Sequence, residues 1–155
     1  MSEIATVKKI LIRHPKEKLK KCSLSPLKGR ADCDFYKAHP DFTYDASNCI
    51  VLEIDAPLIS EKDAGKALVM LDSTWALLPK LRSKLTGNFI PRSLPANIQT
   101  AYPRISKIYQ DPSKGLATIE ALYAALRLSG QRDDTILDNY PFKDKFLEIN
   151  DFNDE

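Results

Sequence analysis

No apolar stretch in this sequence comes near the ~18 residues that a membrane-crossing helix needs. The few apolar residues near the N-terminus lack the layout of a signal peptide. A bilayer-spanning or secreted protein is therefore not expected, and a cytoplasmic location is. Cysteine is scarce: Cys22, Cys33 and Cys49 are odd in number, irregularly spaced and form no C-x-x-C pair. That argues against a disulfide framework and for reduced thiols. Cys22, Cys33 and His39 could supply part of a metal site, but structural zinc sites usually carry a close cysteine pair, so no metal is expected. Glycine is thin at five residues, and neither G-x-G-x-x-G nor the phosphate-loop pattern occurs. No dinucleotide or NTP site is signalled. Internal repeats and low-complexity segments are absent too.

What is present is an ordinary globular composition on 155 residues, with 43% hydrophobic and 28% charged side chains. That length suits one domain burying roughly 68–70% of its unfolded surface. The net charge of +2 hides a gradient. Residues 1–30 hold nine Lys/Arg against two acids, and residues 131–155 hold three against eight. A basic end attracts phosphates. The alternatives are a solvated lysine-rich surface, or attraction between the two ends of the same chain.

Hydrophobic runs place the elements. Residues 6–13 read as a first strand ended by His14-Pro15, and residues 16–21 as a basic, helix-compatible segment. Residues 29–48 are polar and aromatic and read as a long loop. Residues 49–54 and 67–71 read as buried strands. Ser60 with Asp63 resembles a helix start, cut short by Gly65. Residues 75–81 read as a helix with Pro79 near one end. Frequent Pro and Gly over residues 85–115 predict short strands and loops. Residues 116–128 form the clearest helix: Leu116, Ile119, Tyr123 and Leu126 recur at helical spacing, and Gly130 suits the position after its end. The apolar residues after Gly130 are expected to pack back on the domain, with the last five fraying. Strands alternating with helices predict a three-layer α/β domain with a mainly parallel sheet.

Within that frame, Leu71-Asp72-Ser73-Thr74-Trp75 puts a carboxylate, two hydroxyls and the sole tryptophan just past a buried strand. Ligands of open α/β sheets bind outside the carboxyl ends of strands. An aspartate and an indole there suit a cationic, partly aromatic ligand. The structural alternative is a helix N-cap followed by a core tryptophan.

Four separated motifs carry a family resemblance. Residues 12–17, Ile-Arg-His-Pro-Lys-Glu, resemble the strand-ending HPxE of the DTW-domain family, and residues 71–75 resemble its namesake LDxTW segment. Residues 101–104, Ala-Tyr-Pro-Arg, are similar to its Y-x-x-R-type element, one residue shorter. Residues 116–121, Leu-Ala-Thr-Ile-Glu-Ala, match its LsTlEA helix start. The small-subunit ribosomal RNA aminocarboxypropyltransferases are related, with DCSWA, KLSxVEA and RxLP where this chain has residues 72–76, 115–121 and 92–95. Ser73 replaces the usual glycine, loop 29–48 matches neither family, and the cysteine pairs that suggest zinc in DTW proteins are lacking.

The resemblance implies a SPOUT-like domain over residues 1–130 with a C-terminal trefoil knot, followed by an acidic extension, 131–155. It implies transfer of the 3-amino-3-carboxypropyl group of S-adenosylmethionine to a uridine in tRNA. The alternatives are the same transfer to ribosomal RNA, an S-adenosylmethionine-dependent RNA methyltransferase, or a non-catalytic RNA-binding module. Methyl and aminocarboxypropyl transfer differ only in which sulfonium carbon faces the nucleophile, so the protein would select by positioning. Asp72 is the implied catalytic base for uridine N3, which requires burial to raise its pKa. The implied donor site comprises Leu52, Ser73, Thr74, Trp75, Leu94, Leu116, Ala117, Thr118 and Glu120. In it Trp75 meets the sulfonium, a cation–π contact of about 0.5–2 kcal/mol. Leu52, Leu94 and Leu116 form an adenine slot, and backbone N–H groups at Ala117 and Thr118 meet an anionic end of the donor. For Glu120 the competing role is to complement the helix macrodipole. Arg13, His14, Lys16, Arg92 and Arg104 are the residues expected to hold RNA phosphates, with a hydrogen-bonded structural role as the competing reading for His14. Neither sequence nor resemblance fixes the oligomeric state.

Overall fold

The computed structural model describes residues 7–15, 27–53, 55–72, 78–101 and 117–152. The first apolar run forms strand β1 (Lys9–Arg13). It is flanked in a five-stranded sheet by β2 (Cys33–Lys37) on one side and β5 (Leu68–Asp72) on the other. β4 (Ile50–Leu52) and β7 (Ile90–Arg92) complete the order β2-β1-β5-β4-β7, with every pairing parallel. β3 (Tyr44–Asp45) and β6 (Leu85–Thr86) make a small parallel pair beside it.

Strand β2 overturns the reading of residues 29–48 as a loop. Its charged Asp34 and Lys37 hide the strand signal, and among the described residues its only strand partner is β1. Cys33 and Phe35 nevertheless alternate into the core. An edge strand needs apolar residues at alternate positions only, and its pairing is decided by the open edge offered elsewhere in the chain.

Helices cover both faces. α1 (Leu78–Arg82) carries Pro79 in its first turn, where a missing N–H costs nothing, and buries Leu81 with Ile10, Ile12, Val51 and Val69. On the other face, α2 (Thr118–Leu128) buries Ile119, Leu122, Tyr123 and Leu126 against Leu11, Ile50, Leu68 and Met70. Each such side chain is worth roughly 1.5–3 kcal/mol removed from water. α2 ends in a Schellman turn: Gln131 N–H reaches Leu126 C=O (2.7 Å) and Gly130 N–H reaches Arg127 C=O (3.2 Å), with Gly130 at φ +78°. The expected helix after Ser60 is a single 3-10 turn, Glu61–Asp63, closed by reciprocal Ser60–Asp63 capping.

The segment after Gly130 packs back as expected. Ile136, Leu137, Tyr140 and Phe146 join the α2-side core. They lie on a 3-10 turn (Asp134–Leu137) and on or just before α3 (Lys143–Ile149). The charge gradient of the sequence closes on itself here. Arg30 Nη2 meets Asp133 (3.0 Å), while Asp32 accepts from both Arg30 and the buried Lys9 (2.7 Å). Among the described residues no helix is long and apolar enough to cross a membrane. The expected knot depends on the path of residues 102–116, outside the described residues.

Candidate active site

Parallel pairing puts the ends of β1, β5, β4 and β7 along one edge. β1 leads on to β2 on its left, whereas β5 leads on to β7, beyond β4 on its right. The crevice between β1 and β5 is therefore the topological switch point, where ligands of such sheets bind. Arg13 and Asp72 are register partners across it, and His14 N–H donates to the Asp72 carbonyl (3.1 Å).

Strand alternation then selects the face. Leu11, Leu68, Met70 and Ile50 all belong to the α2-side core. Arg13, Asp72 and Leu52, two residues on from these, emerge on that same side. Leu52 and Leu94 line it, half-buried. The start of α2 closes the crevice: Thr118 Oγ1 donates to Asp72 Oδ1 at 2.9 Å. The strand-end carboxylate and the helix start, 46 residues apart in sequence, thus meet directly.

Other predicted residues take structural positions. Glu120 is fully buried, and its carboxylate accepts from Thr100 Oγ1 (2.6 Å), Ala101 N–H (2.9 Å), Ala117 N–H (2.9 Å) and Tyr140 Oη (2.9 Å). It anchors the helix start, the chain entering residue 102 and the C-terminal segment to one another. The Ala117 N–H, expected to face a ligand, is spent on this carboxylate. His14 is buried. Arg92 Nε sits on the buried carboxylate of Asp63 at 3.1 and 3.2 Å, bracing β7 against the 3-10 turn. His14 and Arg92, two of the residues assigned to RNA phosphates, are built into the sheet edge. Burial follows from tertiary placement, which a run of basic residues does not reveal. Lys16, Ser73, Thr74, Trp75, Arg104 and Leu116 lie outside the described residues.

Sequence reasoning passed over the segment after β4. Ser93 N–H donates to Pro57 C=O, Ile59 N–H to Ser93 C=O, and Ser93 Oγ to Ala56 C=O. They hold Leu58 beside the strand ends with 59% of its surface exposed. An apolar residue in a proline-flanked stretch just past a buried strand was the available signal.

This architecture has a known counterpart. The chain resembles Tsr3 from Vulcanisaeta distributa, a SAM-dependent rRNA:acp-transferase, with a TM-score of 0.69 and 24% identity over 94% of this chain and 80% of that one. The two share a fold. No family model matches the sequence, and no curated protein matches it. Among the described residues no group of three or more His, Cys, Asp or Glu could hold a metal.

Proposed function

We propose that this protein transfers the 3-amino-3-carboxypropyl group of S-adenosylmethionine to a uridine in RNA, on a SPOUT-like, knotted domain in the cytoplasm. The observation that carries the reading is the Asp72–Thr118 contact at the switch point. It joins the LDxTW-like strand end to the LsTlEA-like helix start in one crevice. The fold shared with a SAM-dependent rRNA:acp-transferase supports the same chemistry and favours ribosomal RNA as substrate. The DTW-like motifs favour tRNA.

The residues present suit such a donor. Leu52, Leu94 and the exposed Leu58 offer apolar surface for adenine. Thr118 fixes the orientation of Asp72, and Trp75 is the proposed sulfonium contact. When bound, the donor supplies an electrophilic carbon and a thioether leaving group. Asp72 accepts the uridine N3 proton as that nitrogen bonds to the arm's carbon; the carbon–sulfur bond breaks and its electron pair goes to sulfur. Glu120 positions the site from behind without touching the reacting atoms.

The test is to incubate the protein with S-adenosylmethionine and ribosomal RNA or tRNA, and to weigh the digested nucleosides. An aminocarboxypropyl adduct is expected, lost in Asp72→Ala while the fold and donor binding persist. A methyl adduct would reassign the reaction. Calorimetry showing no donor binding at millimolar concentration would reject the reading.

A further inference from the structure

Arg13 carries an anomaly that the function proposed above does not use. Among the described residues, its guanidinium Nε and Nη1 are shielded from solvent and meet no acceptor. Its backbone is conventionally placed, with Ala38 N–H donating to its carbonyl at 2.9 Å. Nε and Nη1 are what lack a partner. A buried guanidinium atom without an acceptor is costly, and native proteins rarely leave one so. The opposite charge in register, Asp72, is held by the Thr118 hydroxyl and does not close onto Arg13.

We propose that Arg13 binds the carboxylate of the donor's amino-acid arm. The proposal rests on the donor reading above. Guanidinium N–H groups make strong, charge-assisted hydrogen bonds to a carboxylate. Arg13 stands at the switch point, on the side of the sheet that also bears Asp72 and the first turn of α2. Burial separates this role from the RNA-phosphate role expected from sequence. Nε and Nη1 lie beneath the surface, out of reach of a polynucleotide backbone. The exposed Lys37, in register with Arg13 at the end of β2, is better placed for a phosphate. With its carboxylate clamped at Arg13, the arm lies along the crevice toward Asp72, which favours its own carbon over the methyl as the group presented to the nucleophile.

The test is calorimetric and needs no turnover. Wild type, Arg13→Met and Arg13→Lys are titrated with S-adenosylmethionine, S-adenosylhomocysteine and 5′-methylthioadenosine; only the last lacks the carboxylate. Arg13→Met is expected to weaken the first two by about 10- to 100-fold and leave the third unchanged. Arg13→Lys, which keeps the charge with fewer donors, should fall between. Without ligand, Arg13→Met should melt no lower than wild type, because it removes an unpaired buried cation. Equal weakening of all three ligands would overturn the proposal alone. So would unchanged S-adenosylhomocysteine affinity with a loss confined to RNA binding. Should wild type bind none of the three, the donor reading itself falls, and this assignment with it.

Discussion

Glu120 is a residue whose type suggested chemistry and whose surroundings give it a structural task. Four donors converge on a carboxylate without solvent exposure. Removing it leaves several buried donors unpaired, so Glu120→Ala should destabilise the fold by about 3–5 kcal/mol in urea titration. An unshifted urea midpoint together with lost donor affinity would instead return Glu120 to the binding site. The thiols are a second case. Burial, and then the neighbouring Asp32 carboxylate, push the Cys33 thiol up to about 11, and burial also raises Cys49. Thiols so shifted are almost entirely protonated at neutral pH, and the thiolate is the reactive form. Both should resist iodoacetamide in the native protein at pH 7.5 and react on unfolding. Rapid native labelling of either, read by peptide mass spectrometry, would contradict that burial.

At the scale of elements, α2 was legible in the sequence and its connections were not. Its apolar spacing and Gly130 mark the helix and its end, while the residues its first turn meets come from β5, from residues 100–101 and from the C-terminal segment. Such meetings are non-local and leave no periodic trace. Gly130→Ala should cost about 1–2 kcal/mol, since φ is +78° and the added methyl only touches Glu61 at 3.5 Å. A smaller loss would mean that the Schellman turn relaxes. The acidic C-terminal extension was set apart in sequence because its charge differs from the rest. Physically it completes the core: Tyr123 packs edge-on to Phe146 at 6.3 Å, and Phe152 contacts both rings. Removing residues 131–155 is expected to abolish cooperative unfolding by circular dichroism. A truncated chain that unfolds cooperatively with an unchanged midpoint would show the extension to be dispensable.

At the scale of the whole molecule, the Arg30–Asp133 ion pair ties the basic part of the sequence to the acidic one, and local pairs set the acid response. The hydrogen bond from Arg30 holds the Asp32 carboxyl well below the usual range, and that from Arg132 lowers Asp134 to about 2. Both groups bind protons less readily folded than unfolded, where the ordinary value is 3.8. Their contribution is therefore complete above about pH 4 and is lost as pH falls through the folded values. Asp134 is partly exposed and contributes less. The urea midpoint should fall steeply below pH 4, and less steeply in Asp32→Asn. An equally steep fall in that variant would place the acid sensitivity elsewhere.

By itself the sequence determined what local physics determines: buried strands from β-branched and leucine runs, one amphipathic helix from 3.6-residue spacing, its stop at a glycine, and the absence of membrane and nucleotide-loop signals. It also placed Asp72 at a strand end, because a buried run followed by a carboxylate is readable from neighbours alone. The tertiary structure decided the rest. Only sheet order makes β1 and β5 the switch point, only register sets Arg13 opposite Asp72, and only packing buries Glu120, His14 and Nε and Nη1 of Arg13. Those outcomes depend on which distant segments meet, and a cation's fate as surface charge, structural brace or ligand anchor is set by the dielectric and the partners found there.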